Sequence, residues 1–148
     1  MFNRIKIEKD YLGLFSSEGL GTTIWSPLAS GILTGKYNSS IPKDSRMNIP
    51  QYKFLKDQLE SEKGQKKIEK VKMMSSIAKN IGISMAQLSI AWCLKNQNVS
   101  TVILGATNTK QLDENLSSIE HKDLLDDEIM NKIDEVLDNK PTPEQDLL

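Results

Sequence analysis

The sequence predicts an α/β fold, and two short apolar segments carry that prediction. Residues 21–26 and residues 99–104 are rich in β-branched side chains, which is typical of short strands buried on both faces. Apolar residues recur at helical spacing between these segments and after the second one. Strands that are joined through helices pair in parallel, with a right-handed crossover. The expected order is therefore strand, helices, strand, helix, helix.

Composition is that of a soluble globular protein of one-domain size. The chain has 148 residues, of which 38% are hydrophobic and 26% charged, and its formal net charge is −1. This balance gives no indication of a nucleic-acid partner. No apolar run approaches the roughly 20 residues of a membrane span, and residues 1–9 lack the apolar core of a signal peptide, so we expect a cytoplasmic protein without direct membrane insertion. The single cysteine, Cys93, excludes a disulfide framework or a cysteine-based metal site within one chain.

The first predicted strand is followed by a long loop. An apolar stretch at residues 11–15 suggests a short helix before the strand. Pro27 ends the strand, because it has no N–H for the ladder. The loop then runs over residues 27–50, and a loop of this length is uncommon without a functional role. It contains two cations, Lys36 and Arg46, which we expect within reach of the strand end.

Two helical patterns follow the loop. The first covers residues 51–62, and Gly64 is expected to separate it from the second, at residues 65–81. Gly82 stands where a C-terminal cap belongs. The second helix has a predicted core-facing stripe that consists of Ile68, Val71, Met74, Ala78 and Ile81.

A third helix before the second strand is apolar almost all round. Ser84 and Gln87 have the spacing of a capping box, which opens a helix over residues 85–95. We expect this helix to be buried against the sheet. Its tryptophan, Trp92, is therefore interpreted as a core residue.

Two more helices follow the second strand. Asn108 and Gln111 repeat the cap spacing, and the stripe of this helix consists of Leu112, Leu116 and Ile119. The final helix is expected over residues 126–137 and is stopped by Pro141. Residues 139–148 would form a C-terminal tail.

The candidate site lies at the two strand-to-loop junctions. Carboxyl ends of parallel strands face the ligand crevice in α/β proteins, so Trp25 and Ser26 are candidate site residues. At the second junction, residues 105–108 precede a capped helix start, where free N–H groups and the helix dipole attract an anion, and Thr107 adds a hydroxyl. Trp25 could stack on a planar ring, and the two loop cations could bind phosphate. Together these features suggest a nucleotide-like ligand, although the glycine fingerprint of a Rossmann fold is not present.

A sheet of only two strands is incomplete. Such a sheet cannot close, and each strand exposes an unpaired edge. We therefore expect that part of the parent protein is missing from this sequence.

Several stretches of the chain resemble the aldo-keto reductase superfamily. They are Trp-Ser-Pro-Leu-Ala-Ser-Gly at 25–31, Gly-Lys-Tyr at 35–37, Ile-Pro at 41–42 with Ser-Arg at 45–46, Ala-Trp-Cys-Leu at 91–94, and Leu-Gly-Ala-Thr-Asn at 104–108 with Gln-Leu at 111–112 and Glu-Asn at 114–115. The Ser-Pro-Leu-x-x-Gly stretch marks the superfamily. The preceding tryptophan, the long loop with its cations and the Ala-Trp-Cys-Leu stretch resemble the β-subunit branch of voltage-gated potassium channels.

This resemblance implies a fold and a cofactor. The fold is a TIM barrel of eight parallel strands, of which this chain would hold the C-terminal part, with the last two strands and their helices. The cofactor is NADPH, bound in an extended form. The catalytic tetrad of the family comes from earlier strands and has no counterpart here, so no catalytic residue is assigned and we expect the chain to be inactive by itself. His121 is interpreted as a structural or solvent-facing residue.

The resemblance also implies which residues bind each part of the cofactor. Trp25 corresponds to the aromatic residue that stacks on the nicotinamide ring. The pyrophosphate would be wrapped by Ser26, Pro27, Leu28, Ala29, Ser30 and Gly31, together with Lys36 and Arg46. The 2′-phosphate end of the adenosine would be bound by Gly105, Thr107 and Gln111, and the adenine and its ribose by Glu114 and Asn115. The spacing of Gln111, Glu114 and Asn115 independently places them on one helix face.

Three functional interpretations remain open. The channel-subunit branch implies a full-length protein that forms homotetramers and contacts the cytoplasmic domain of a potassium channel α-subunit. The second interpretation is a fragment of an ordinary aldo-keto reductase with no channel role. The third is a non-enzymatic helical interaction domain, whose two strands pair across an oligomer and whose Trp25 is a core residue.

Overall fold

Helices dominate the computed structural model of the chain, which describes residues 1–142. The α-helices are α1 (Leu12–Ser17), α2 (Lys53–Glu60), α3 (Glu62–Asn80), α4 (Met85–Lys95), α5 (Thr109–Ser117) and α6 (Asp127–Leu137). The strands are β1 (Thr23–Ile24) and β2 (Thr101–Val102). A π-helical turn covers Lys6–Asp10, and 3₁₀ segments cover Ala29–Thr34, Arg46–Asn48, Pro50–Tyr52 and Ser118–Leu124. The predicted order of strands and helices is confirmed. Residues 143–148 of the predicted tail lie outside the described part.

The two strands pair in parallel, as the sequence predicts. Thr23 lies opposite Thr101, and Ile24 lies opposite Val102. The amide of Ile103 donates to the carbonyl of Ile24 over 2.8 Å. Both chain segments therefore leave the sheet in the same direction, at the same edge.

The prediction of strands buried on both faces is wrong for this chain. Ile24 and Val102 are half-buried, whereas Thr23 and Thr101 are exposed. The half-buried side chains pack on the hydrophobic core, and within residues 1–142 no second layer covers the opposite face. The regular strands are also only two residues long, because each has a single neighbour to pair with.

The two helices after the loop meet at a tight turn. The break falls at Ser61, which caps α3 by accepting a hydrogen bond from the Gly64 amide, so the predicted break at Gly64 is wrong. Gly64 instead allows a close approach: a Cβ atom there would lie 2.2 Å from the carbonyl oxygens of Gln58 and Leu59. The predicted stripe on α3 is confirmed for Ile68, Val71, Met74 and Ala78, with Ile81 half-buried just past the helix.

Helix α4 is the centre of the core. Its capping box is confirmed: Ser84 Oγ accepts from the amide of Gln87, and Gln87 Oε1 accepts from the amide of Ser84. The helix contacts β2, but its other neighbours are α3, α5 and the segments Ala29–Thr34 and Ser118–Leu124, so helices rather than the sheet supply most of its burial.

Helix α4 buries the side chains of Trp92 and Cys93. Trp92 is 7% exposed, as expected of a core residue. Cys93 is a free thiol and is buried. Burial raises the pKa of the Cys93 thiol, with a smaller opposing effect from the N-terminal amine.

The predicted stripe after β2 is exposed. Leu112, Leu116 and Ile119 have exposed fractions of 43%, 56% and 61%, because the face that carries them points away from α4. Asn115 is the buried residue of α5. The final helix is confirmed and ends at Leu137 as predicted, but its C-cap is Asp138, in a left-handed conformation (φ 45°), three residues before Pro141.

An ion-pair network joins the N-terminal segment to α6. Arg4 is buried and contacts Glu8 at 2.7 Å and Asp134 at 2.6 Å, and Asp134 also pairs with Lys140 at 2.8 Å. Burial alone would raise the pKa of Asp134, but the hydrogen bonds from Lys140 and Arg4 outweigh it and hold that pKa below 3.8. The network fixes the first residues of the chain against the last helix.

No single helix among residues 1–142 is both long and apolar enough to cross a membrane. Helices α3 and α4 satisfy the length and composition criteria only as a pair, and they are bent by 89°.

The network predicts a loss of stability in acid. A carboxyl whose pKa is lower in the folded state stabilises the fold above its unfolded pKa, and this contribution is lost as pH falls through the folded value. Asp134→Asn should lower the free energy of unfolding at pH 7 by about 2 kcal/mol, because it removes one of the two carboxylates that pair with the buried Arg4. It should also flatten the decline in stability below pH ~4, measured by urea unfolding. Glu128→Gln, which removes an exposed pair with Lys132, is the control and should change neither. If the free energy of unfolding fell equally in acid for Asp134→Asn and the wild type, Asp134 would not be responsible for the acid sensitivity.

Candidate functional site

The candidate site is built at the edge of the sheet where β1 and β2 end. The pairing of Ile24 with Val102 brings the two strand-to-loop junctions side by side. One junction begins at Trp25 and the other at Ile103. The predicted proximity of the two junctions is therefore present in the fold.

Trp25 is presented to solvent at this edge. Its side chain is 79% exposed, which disagrees with a core role and leaves the indole face free for stacking. Trp25, Ser26, Ala29 and Ser30 line a groove of about 820 Å³. The groove is large enough for part of a nucleotide, since small-molecule sites typically measure about 300–1,000 Å³.

The loop after Trp25 has an unusual backbone. Ser26, Ala29 and Ser30 have φ values of 52°, 47° and 57°, and Gly31 has a φ of 91°. Residues other than glycine rarely adopt φ values in this left-handed region. Residues with such strained backbones are concentrated at functional sites. Two short 3₁₀ turns meet at the Ser30–Gly31 kink, next to the groove that Ser30 lines.

The two predicted loop cations behave differently. Lys36 folds back across the kink, so that a Cβ atom on Gly31 would lie 3.0 Å from Lys36 Nζ. Arg46 instead lies over the ring of Tyr52, with its guanidinium carbon 5.4 Å from the ring centroid. Neither Lys36 nor Arg46 lines the groove, although Met47 does. The expectation that both cations lie within reach of the strand end stays a prediction.

The second junction is exposed and organised by Gln111. Residues 105–108 are all exposed. Gln111 Oε1 accepts from both the amide and the hydroxyl of Thr107, each over 3.0 Å, and Asn108 Oδ1 accepts from the Gln111 amide. The cap at Asn108 is thus confirmed, but the reciprocal bond goes to Thr107 rather than to the Asn108 amide. The exposed loop therefore lies at the N-terminus of α5, where the helix dipole is positive.

The remaining predicted site residues lie further along α5. Asn115 is buried, and its Nδ2 donates to the carbonyl of Gly105 over 3.4 Å. Glu114 is half-buried, and its backbone carbonyl accepts from the hydroxyl of Ser117. Asn115 therefore contacts the loop from its buried side, and Gln111 contacts it from its exposed side.

Sequence reasoning missed several walls of the groove. Its lining includes Asn3, Ile5 and Tyr11 from the N-terminal segment, and Gln58 and Lys67 from α2 and α3. These positions are distant in sequence, and no spacing pattern relates them to Trp25. Reasoning from the residues also gave no role to Tyr37, which is buried next to Lys36.

The site contains no evident metal centre. Among the described residues, no group of three or more His, Cys, Asp or Glu side chains could hold a metal ion. His121 lies half-buried in the 3₁₀ segment Ser118–Leu124.

Comparison with known proteins gives two findings. A family model described as "Aldo/keto reductase family" matches residues 2–138. A protein of Oryza sativa subsp. japonica named "Probable voltage-gated potassium channel subunit beta" is 45% identical over 142 residues. The match covers 95% of this chain and 42% of that relative, so the chain spans less than half of the relative's length.

The loop at residues 105–108 should depend on Gln111. Gln111→Ala removes the acceptor for the Thr107 amide, and a hydrogen bond of this kind contributes about 0.5–1.5 kcal/mol. The hydrogen-exchange rate of the Thr107 amide should therefore rise about two- to tenfold, as measured by NMR. Lys110→Ala, an exposed neighbour on the same helical turn, is the matched control. An unchanged Thr107 rate in Gln111→Ala would show that Gln111 does not hold the loop.

Proposed function

The chain belongs to the aldo/keto reductase family, and on that premise we propose that it forms the NADPH-binding part of an oxidoreductase domain. The observation that best supports this proposal is the parallel pairing of β1 with β2, which sets Trp25 and Gly105 at neighbouring strand ends. Two neighbouring junctions can contact the two ends of an extended dinucleotide. One junction offers a stacking surface, and the other offers an anion site.

The nicotinamide end is assigned to the first junction. Trp25 would stack on the ring, since its indole is exposed at the groove. The residues from Ser26 to Gly31 would wrap the pyrophosphate, and Lys36, which lies beside Gly31 at the left-handed kink, would join them. Arg46 would have to leave the ring of Tyr52 to contact the same phosphates.

The adenosine end is assigned to the second junction. The 2′-phosphate would lie at Gly105, Thr107 and Gln111, at the N-terminus of α5, where the helix dipole favours negative charge. Glu114 and Asn115 would contact the ribose and adenine. Asn115 already donates a hydrogen bond to the Gly105 carbonyl. It would therefore position this loop as well as contact the adenine.

Hydride transfer requires more than these residues. When bound, the cofactor supplies the hydride, and a carbonyl substrate also needs a donor that protonates the developing alkoxide. We propose that the donor and the remaining strands come from other parts of the family's barrel, which would pair with the open edges of β1 and β2. Aldehyde reduction in the parent protein would then use the cofactor held here, and the 148-residue chain alone would not catalyse it.

Tryptophan fluorescence provides a test, because the two tryptophans are in opposite environments. NADPH should quench the exposed Trp25, so the signal should persist in Trp92→Phe and disappear in Trp25→Phe. Measured by calorimetry, which needs no tryptophan signal, Trp25→Leu should weaken NADPH binding about two- to tenfold, since it removes the stacking surface. Phe54→Leu, an exposed aromatic on α2 that does not line the groove, is the control. Equal affinity in Trp25→Leu and the wild type would rule out the stacking role.

A second candidate function is channel regulation. It is favoured by the 45% identity to a protein that is named as a probable potassium channel subunit. We propose that the full-length parent assembles as a homotetramer on the cytoplasmic domain of a channel α-subunit. Co-purification of that parent with a channel cytoplasmic domain should succeed in the presence of NADPH. A parent protein that reduces aldehydes but never co-purifies would identify an ordinary aldo/keto reductase.

A further inference from the structure

Tyr37 lies directly beneath the kink that the proposed function uses. We propose that Tyr37 is a positioning residue: its ring, together with the open space at Gly31, holds the Lys36 ammonium over the kink as a preformed phosphate-binding group. This inference rests on the proposed function, because the phosphate concerned is the pyrophosphate of NADPH.

The absence of a side chain at Gly31 makes room for Lys36. A Cβ atom on Gly31 would lie 2.8 Å from Cε and 3.0 Å from Nζ of Lys36, and 3.5 Å from Cε2 of Tyr37. The first distance is shorter than real Cβ contacts allow. Lys36 therefore occupies space that only glycine leaves free, and Gly31 also has the φ of 91° that favours glycine.

The ring of Tyr37 fixes the ammonium. Lys36 Nζ is 5.0 Å from the ring centroid, within the range of a cation–π interaction. Tyr37 is 4% exposed and packs with Met47, Leu59 and Ile68 in a small core cluster. The flexible side chain of Lys36 is thereby held against a buried ring, which reduces the conformational entropy that it loses on binding an anion.

The hydroxyl of Tyr37 is not needed for this role. Its oxygen is buried, and among the described residues it has no hydrogen-bond partner. If the residue acts through its ring face, phenylalanine should replace it without loss. An aliphatic side chain of similar size should not.

Lys36 keeps its donors available. Many lysines of this chain pair with carboxylates, as Lys53 does with Asp57 and Lys66 with Glu62. Within residues 1–142, no carboxylate lies in ion-pair distance of Lys36. An aromatic face accepts the charge without using the N–H groups as a carboxylate would, and the ammonium has three of them for a phosphate.

NMR of the 148-residue chain with isotope-labelled lysine tests the positioning. The ε-methylene of Lys36 should be shifted upfield by the ring of Tyr37 in the wild type and in Tyr37→Phe. It should return to the ordinary lysine position in Tyr37→Leu. Phe2→Leu is the matched control, because it removes the ring beneath Lys67 (5.2 Å) and should shift only Lys67. A Lys36 resonance that is already ordinary in the wild type would overturn the proposal.

Titration with inorganic pyrophosphate then separates positioning from mere stability. Tyr37→Leu should weaken pyrophosphate binding about two- to fivefold, and Tyr37→Phe should not. In a Lys36→Met background Tyr37→Leu should have no further effect, because Tyr37 acts through Lys36. An equal loss in both backgrounds would overturn the proposal. If the ring shift follows the expected pattern but wild-type chain binds no pyrophosphate, the positioning stands and the proposed function fails.

Discussion

The pairing of β1 with β2 is the constraint on which the candidate site depends. It consists of few hydrogen bonds, and it is kept in register by the core beneath it, since Ile24 and Val102 pack on the cluster that contains α4. A slip of either strand by one residue would turn its half-buried side chain to the opposite face. It would also separate Trp25 from the loop that starts at Gly105. The geometry of the site therefore depends on the packing of β1 and β2 against the core that contains α4.

The elements that follow local rules could be predicted from the sequence. The boundaries of α4 follow from the capping box of Ser84 and Gln87, and the stripe on α3 follows from its helical period. The cap at Asn108 is equally local. At the site, the proximity of the two junctions follows from parallel pairing alone. The helix and cap predictions succeed because each depends on residues within one or two turns of each other, whereas the proximity of the junctions needs only that the two strands pair in parallel.

The parts that sequence reasoning missed depend on long-range contacts. Burial of β1 and of the face carrying Leu112 requires neighbours, and no periodicity says whether neighbours are present. The break near Gly64 was misplaced because a glycine that permits close approach looks the same as one that ends a helix. The positions of Arg46 over Tyr52 and of Lys36 over Tyr37 are local, but they depend on an irregular loop backbone that no periodicity predicts. The structure thus divides two cations that the sequence treats alike.

The environment of Cys93 constrains how a protein of this kind could respond to oxidants. Its sulfur is enclosed by α4 and the core, and burial disfavours the thiolate, which is the form that attacks peroxides and other electrophiles. Trp25 and the loop beside it are open to solvent. The single thiol of this chain is therefore protected from oxidants in solution, whereas the indole of Trp25 is open to them.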